Sequence, residues 1–132
     1  MLGHQGRATR LTKDHRPDDP DEVARIEKAG GFMFKGRVVG VLAITRSLGD
    51  HCMKSYVVAE PHCSETTIEL ERNNPSFIIC ACDGMWDVFQ DQEAVDFVLK
   101  YHQERENIAG YLVKEAIRRG SADNISVIVA WL

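Results

Sequence analysis

Phe77–Asp87 reads FIICACDGMWD, an apolar run that leads directly into an acidic turn. The run up to Cys82 is apolar on both faces of a period-2 pattern, and Ile125–Leu132 (ISVIVAWL) is nearly so. Two-sided apolar runs of this length are typical of central strands in a covered sheet. We therefore predict two buried strands, one that leads into Asp83 and one that begins just after Asp123.

These two strands would bring two carboxylates together. If the strands are antiparallel neighbours, the end of the first lies beside the start of the second, and Asp83 and Asp123 converge at one rim of the sheet. Two carboxylates beside an apolar core are unfavourable unless a positive group lies between them. A hard divalent cation prefers oxygen ligands, so the pattern predicts a metal site at this rim.

Length and composition restrict the class of protein. The chain has 132 residues, of which 44% are hydrophobic, so it is one domain or part of one and is rich enough to form a core. Its net charge of −4 argues against nucleic acid as a main partner. No apolar run approaches the roughly 20 residues of a membrane span, and no signal-peptide pattern opens the chain. We expect no membrane partner and a cytoplasmic or nuclear location.

The cysteines are Cys52, Cys63, Cys80 and Cys82. Cys80 and Cys82 fall on one face of the apolar strand, so we predict buried free thiols, as intracellular chains keep thiols reduced. A disulfide or a metal site formed by these thiols is the less favoured alternative.

Capping signals predict a first helix. Asp19 can cap it, Pro20 suits its first position, and Glu22 stands three residues after the cap, as in a capping box. Gly30-Gly31 ends it.

Two more helices follow later in the chain. One begins at Asp91, with apolar residues at helical spacing, and one follows from Asn107, with Ile117 on its inner face and Gly120 as its stop. Between the first helix and the central strand, short extended segments are predicted at Phe32–Phe34, Val38–Ile44, Val57–Val58 and Thr66–Leu70. Strands and helices are segregated in sequence, which favours an antiparallel α+β arrangement.

Motifs in four segments carry a family resemblance. They are 11–17 (LTKDHRP), 37–50 (RVVGVLAITRSLGD), 83–87 (DGMWD) and 123–124 (DN), in that order. Together they resemble the C-terminal half of a type 2C protein phosphatase, the metal-dependent serine/threonine phosphatases. The family's first half, with its Glu-Asp segment, its Asp-Gly-His-Gly-Gly motif and its phosphate-binding Arg, is absent.

This resemblance implies a fold. The chain would be part of an α-β-β-α sandwich of antiparallel sheets flanked by helices, with the N-terminal half missing, and residues 1–132 would be the C-terminal portion of the catalytic domain. Gly3–Gly6 is then a hairpin turn, and Arg7–Leu11 is a strand whose sheet partner lies upstream and is missing. An unpaired edge invites another chain, so we expect a homo-oligomer or strand exchange.

The resemblance also assigns metal ligands. Asp83 and Asp123 match carboxylate ligands of a centre that holds Mg²⁺ or Mn²⁺. Asp87 matches a residue that helps to bind an additional, weaker metal, and a solvated carboxylate at a helix entry is an equal alternative. Asn124 more plausibly holds the loop by hydrogen bonds than binds metal, and Trp86 is interpreted as a packing residue.

The chemistry implied by the family is hydrolysis of phosphoserine and phosphothreonine in phosphoproteins. Two metal ions activate a water for attack on phosphorus. The bridging Asp, the second metal's ligands and the His thought to protonate the leaving group belong to the missing half. We therefore expect weak metal binding and poor activity of this chain alone, with a non-catalytic, phosphatase-like binding or regulatory fragment as the alternative.

We expect four further polar residues, Arg46, Asp50, His15 and Ser47, not to act as catalysts. Arg46 and Asp50 are predicted to form an ion pair that ties a loop to the core. His15 is interpreted as structural rather than as an acid–base group. Ser47 has no neighbouring base by spacing, which argues against nucleophilic catalysis.

Overall fold

The computed structural model describes residues 1–69 and 74–132. These residues form two compact units. The sheet unit comprises Met1–Leu11 and Glu65–Leu132, and the hairpin unit comprises Thr12–Ser64. Strands pair antiparallel and helices are segregated from them, so the α+β class predicted from the sequence is confirmed.

Four antiparallel strands form the sheet of the first unit, in the order β2-β1-β5-β6. Their bounds are Leu2–His4 (β1), Arg7–Thr9 (β2), Phe77–Ala81 (β5) and Val127–Trp131 (β6). Strands β5 and β6 pair from Phe77 opposite Trp131 to Ala81 opposite Val127. Both predicted strands are therefore present and are neighbours. β5 lies inside the sheet as predicted, but β6 lies at its edge among the described strands, so the prediction that the second strand is central is wrong.

One face of the β5–β6 pair packs on helices. Phe77 and Ile79 point to this face and are fully buried, and the Phe77 ring centroid lies 5.1 Å from that of Trp131. The helices are Asp83–Trp86 (α2), Asp91–Lys100 (α3) and Ile108–Arg118 (α4). Buried apolar side chains of the strands and helices form one continuous core: Met1, Phe77, Ile79, Met85, Phe89, Ala94, Val95, Val98, Ile108, Leu112 and Ala116.

The prediction that the strand after Gly6 lacks its partner is wrong. Arg7–Thr9, two residues shorter than predicted, pairs with Leu2–His4 through a turn in which Gln5 and Gly6 both have positive φ. Gly3 is required in β1, because a Cβ there would lie 2.4 Å from the Phe77 ring. Three residues are too few for a period-2 pattern, so β1 left no signal in the sequence.

The opposite face of β5–β6 is exposed. It carries Cys80, Ala130 and Ile128, whose side chain is 67% exposed. All four thiols are free, as predicted, but the prediction that they are buried is wrong. Cys52, Cys63 and Cys80 are exposed and Cys82 is half-buried. The two-sided apolar pattern predicted that both faces of the β5–β6 pair are buried. Among the described residues, helices of this unit pack against one of these faces.

The later helices match their predicted starts, and one predicted core residue differs. Gly120, with a φ of +94°, follows the end of α4 as expected. Ile117 was placed on the inner face of this helix, yet it is 59% exposed while its neighbour Ala116 is fully buried. Every helix among the described residues is too short or too polar to cross a membrane.

The hairpin unit opens with helix α1, Pro20–Lys28. The Asp19 side chain caps it by accepting a hydrogen bond from the Asp21 N–H at 3.0 Å, as the sequence predicts. Strands Met33–Phe34 (β3) and Arg37–Val38 (β4) form a short hairpin, and the buried apolar cluster is Ile26, Val38 and Val57.

The last predicted strand of the middle region is not formed. Thr66–Leu70 was predicted to be a short strand, but residues 66–69 have no regular secondary structure. Leu70 lies outside the described residues.

Candidate metal centre

Asp83 stands where the central strand turns into a helix. β5 ends at Ala81, and Cys82 adopts an extended conformation before α2 begins at Asp83. The Asp83 carboxylate is exposed, and its Oδ1 accepts a hydrogen bond from the Gly84 N–H at 3.0 Å. The bond orients one carboxylate oxygen towards the backbone that follows it.

Asp123 lies in the loop between α4 and β6, and its carboxylate makes the same kind of local hydrogen bond. Its carboxylate is exposed, and its Oδ1 accepts a hydrogen bond from the Asn124 N–H at 2.7 Å. Each of the two predicted ligands therefore uses one oxygen to hold the next residue's amide. Both bonds are local, and each leaves the second oxygen of its carboxylate outside this contact.

The segments that carry the two carboxylates are in direct contact. The Ser121 hydroxyl donates to the Gly84 carbonyl at 2.6 Å, and the Cys82 thiol donates to the Asn124 carbonyl at 3.1 Å. A Cβ at residue 84 would lie 2.2 Å from the Asn124 oxygen, so only glycine allows this approach. The expectation that the ends of β5 and β6 lie side by side is met, because the register pairs Ala81 with Val127.

Asp87 lies one helical turn after Asp83. Its backbone N–H donates to the Asp83 carbonyl at 2.8 Å, and its side chain is exposed. Residues four apart on a helix share a face, so Asp87 is on the same side of α2 as Asp83. Trp86 packs as predicted, with its indole N–H donating to the Ala81 carbonyl at 3.0 Å and the Arg10 guanidinium 5.5 Å from its ring centroid.

The carboxylate oxygens of Asp83 and Asp123 are suitable ligands for a hard cation that is bound by few protein groups. Within the described ranges, side chains do not gather three or more His, Cys, Asp or Glu into a metal-binding cluster. Two exposed carboxylates on interlocked loops can still hold Mg²⁺, which retains several waters and takes only one or two carboxylates. The residues present therefore fit a weak divalent-cation site and do not form a closed all-protein cage.

Arg46 does not pair with Asp50, contrary to the sequence-based expectation. Its guanidinium donates to the Glu22 carboxylate, at 3.0 Å from Nε and 2.5 Å from Nη2. Asp50 instead accepts a hydrogen bond from the Ser47 hydroxyl at 2.6 Å. The loop is tied to α1 by Arg46, so the structural role is kept but the partner differs.

Glu22 is the residue that the sequence reasoning assigned to a capping box. It is only 1% exposed and points inward, where it accepts hydrogen bonds from Arg46 and Arg25. The Arg46 guanidinium beside it lowers the pKa of Glu22 to about 2. A buried carboxylate needs such partners, because removing it from water is costly.

His15 is half-buried, and its backbone carbonyl accepts a hydrogen bond from the Thr45 N–H at 3.0 Å. Burial lowers the pKa of its imidazole, and the positive charge of Arg46 acts in the same direction. The side chain is therefore biased towards its neutral form, and its backbone role agrees with the structural interpretation.

The sequence reasoning missed two residues near the carboxylates. Cys82 was predicted to be a buried free thiol, and Ser121 was assigned no role. Both hydrogen-bond across the loop contact, to partners 42 and 37 positions away. Such long-range bonds leave no periodic signal, and only the position of each residue beside a predicted ligand could have drawn attention to it.

These features define a class of site before any comparison is made. Two carboxylates on interlocked loops, at the end of an antiparallel strand pair that is buried on one face, form a candidate centre for a hard divalent cation. The family model named Protein phosphatase 2C matches residues 1–125. The chain belongs to this family.

Curated relatives agree with that assignment. The chain is 47% identical to the Probable protein phosphatase 2C 69 of Arabidopsis thaliana, a match covering 98% of this chain and 36% of that protein. It is 42% identical to the Protein phosphatase 2C homolog 1 of Saccharomyces cerevisiae, covering 100% of this chain and 46% of that protein. The chain therefore spans less than half the length of these relatives.

Solved structures share the fold. A C. elegans sex determining protein superposes with a TM-score of 0.81 at 32% identity, covering 98% of this chain and 34% of that one. A phosphatase from a pathogenic strain of Toxoplasma gondii gives a TM-score of 0.79 at 31% identity, covering 98% of this chain and 44% of that one. The antiparallel sheet and its helices thus correspond to one part of the larger fold of these proteins.

Proposed function

We propose that this chain contributes part of the metal centre of a protein serine/threonine phosphatase, which hydrolyses phosphoserine and phosphothreonine in phosphoproteins. Asp83 and Asp123 would be carboxylate ligands of Mg²⁺ or Mn²⁺, and Asp87 would contribute to a further, weaker site. The observation that carries the proposal is the interlocking of the loops that bear Asp83 and Asp123.

The residues of the chain would bind and orient, and the cation would supply the Lewis acidity. A bound divalent cation lowers the pKa of water and neutralises phosphoryl charge. Asp83 and Asp123 are exposed, so they are accessible to a hydrated ion. The local bonds to Gly84 and Asn124 fix one oxygen of each carboxylate, which reduces the ordering needed on binding.

Metal binding is tested by melting the chain at increasing Mn²⁺. A ligand that binds only the folded state raises the melting temperature by mass action. We expect this rise for the chain and for Asp96→Asn, a matched control on the exposed surface of α3. Asp83→Asn and Asp123→Asn should lose most of it, and a response equal to that of the unaltered chain would contradict their role as ligands.

Catalysis is tested separately, by phosphate release from a phosphothreonine peptide in the presence of Mn²⁺. The chain alone should turn over slowly or not at all, because it carries only part of the ligand set expected from the family resemblance. Adding the N-terminal half of a relative as a separate chain should raise the rate, and Asp123→Ala should abolish the increase. If the rate does not rise while metal still binds, the alternative of a non-catalytic regulatory fragment is favoured.

Self-association and location stay as predictions. The exposed apolar side of β5–β6, with Ile128 and Ala130, supports self-association. The strand Arg7–Thr9 does not, because it is paired with Leu2–His4. Light scattering over a dilution series measures self-association. Free thiols are consistent with the cytoplasm or nucleus, and a fluorescent fusion would test that location.

A further inference from the structure

Asn124 links the Cys82 thiol to the Asp123 carboxylate. Its carbonyl accepts a hydrogen bond from the thiol at 3.1 Å, and its N–H donates to Asp123 Oδ1 at 2.7 Å. The same sulfur accepts a hydrogen bond from the Ser126 N–H at 3.2 Å. The thiol therefore acts as donor and acceptor at once and holds the backbone on both sides of Ile125.

Gly84 links Ser121 to the Asp83 carboxylate in a reciprocal arrangement. Its carbonyl accepts a hydrogen bond from the Ser121 hydroxyl at 2.6 Å, and its N–H donates to Asp83 Oδ1 at 3.0 Å. Each loop thus supplies a side chain that holds the residue after the other loop's carboxylate. We call Cys82, Gly84, Ser121 and Asn124 the loop clasp.

We infer that Cys82 and Ser121 are positioning residues that fix Asp83 and Asp123 relative to each other for cation binding. This inference rests on the proposed role of the two carboxylates as ligands. Groups that hydrogen-bond to a metal ligand hold its orientation, and their loss typically weakens metal affinity by about 10- to 100-fold. Cys82 and Ser121 each bond the residue that follows a proposed ligand, so we expect an effect at the lower end of this range. The clasp acts through peptide groups, since neither the thiol nor the hydroxyl bonds the carboxylates directly in the contacts described above.

A metal titration measures the effect. Mn²⁺ binding to the 132-residue chain is followed by electron paramagnetic resonance, which counts free and bound ion. We expect Cys82→Ala and Ser121→Ala each to raise the dissociation constant about 10-fold. In the double variant the increase should be smaller than the product of the two, because both bonds hold the same pair of loops.

Matched controls separate positioning from general damage. Cys80→Ala removes a thiol two residues away, on the exposed face of the sheet, and should leave the dissociation constant unchanged. Ser126→Ala keeps the backbone N–H that the sulfur accepts and should also have no effect. Cys82→Ser retains a donor and an acceptor and should recover part of the affinity, which also keeps the proposal testable if Cys82→Ala does not fold.

A second readout needs no metal. Amide hydrogen exchange in the metal-free chain should be faster at Asn124 and Ser126 in Cys82→Ala, while the core strand residue Ile79 keeps its protection. A merely structural role of Cys82 would lower the melting temperature without changing the Mn²⁺ dissociation constant of the folded protein. That result would overturn the proposal.

The same experiments distinguish the failure of this inference from failure of the proposed function. If Asp83→Asn and Asp123→Asn weaken Mn²⁺ binding while the Cys82 and Ser121 variants do not, the metal site stands and the positioning role is wrong. If the two Asp variants bind Mn²⁺ as well as the unaltered chain, the proposed site itself is wrong, and the positioning role is rejected with it.

Discussion

Different interactions stabilise the interiors of the two units. The sheet unit has a continuous apolar core in which strands and helices bury aromatic and aliphatic side chains. The hairpin unit buries the smaller cluster Ile26, Val38 and Val57, and beside it the carboxylate of Glu22. A small unit with few apolar residues gains less from burial, and charged hydrogen bonds supplement it.

The ionic centre of the hairpin unit extends beyond Glu22. Arg25 donates to Glu22 at 3.0 Å and also to the carbonyls of Tyr56 and Thr45, at 2.7 and 2.9 Å. One guanidinium therefore connects α1 to two loop segments. Loss of one charged side chain in this unit therefore removes several tertiary hydrogen bonds, whereas loss of one buried side chain in the sheet unit leaves a cavity.

The largest expected effect is truncation of the apolar core. Phe77→Ala should lower the free energy of unfolding by about 3–5 kcal/mol, because a buried aromatic ring is replaced by a cavity. Unfolding in urea is followed by the fluorescence of Trp86 and Trp131, which both belong to the sheet unit.

Ile128→Ala is the control for this change. Ile128 lies in the sheet unit and is 67% exposed, so its truncation should lower the free energy of unfolding by less than about 1 kcal/mol. A loss in Phe77→Ala no greater than that in Ile128→Ala would contradict the description of the sheet unit as an apolar core.

The next effect concerns the ionic centre. Glu22→Gln keeps the shape of the side chain but leaves Arg46 and Arg25 without their counter-ion. We expect it to lower the free energy of unfolding by about 3 kcal/mol. Because the tryptophans report on the other unit, two-dimensional NMR of the Val57 and Ile26 amides is the appropriate measurement. Glu27→Gln, a substitution at an exposed position of the same helix, should leave the free energy of unfolding nearly unchanged.

Acid should weaken the same contact. The folded-state pKa of Glu22 is lowered from 4.5 to about 2, chiefly by its hydrogen bonds from Arg46. The ionised Glu22 carboxylate therefore contributes fully to the free energy of unfolding above about pH 5, and this contribution is lost as pH falls towards the folded-state pKa. From the two pKa values, the free energy of unfolding should fall by about 2 kcal/mol by about pH 3. Glu22→Gln should lack this component, and an identical acid response of both proteins would show that other groups determine it.

Part of the fold followed from local patterns. Strands β5 and β6 were predictable because both runs are apolar and long enough to be strands. Their antiparallel pairing was only assumed from the sequence, and the structure shows it. The cap of α1 was predictable because Asp19 and Pro20 carry the signal within a few residues. Strand β1 was not, since its three residues include Gly3, whose place is fixed by the distant Phe77 ring.

The candidate site divides in the same way. Asp83 and Asp123 were proposed as ligands because each lies next to a strong strand pattern and because the motifs resemble those of the family. The structure places them on loops that are in contact, and their role as ligands stays a prediction. Cys82 and Ser121 could not be named from the sequence, because their hydrogen bonds cross between segments about 40 positions apart. Glu22 met the spacing rule of a capping box, but two arginines compete for its carboxylate and determine its orientation.

The smallest expected effect tests the boundary of the apolar core on α4. Ile117 is apolar and at helical spacing, yet it is 59% exposed, and its neighbour Ala116 is fully buried. Ile117→Lys should therefore change the free energy of unfolding by less than about 0.5 kcal/mol, as for most surface substitutions. Ala116→Lys places a charge in the core and should cost several times more. Both are measured by urea unfolding at a protein concentration low enough to keep the chain monomeric. A loss in Ile117→Lys comparable to that in Ala116→Lys would mean that this residue is covered in solution, and that the core of the sheet unit extends across the outer side of α4.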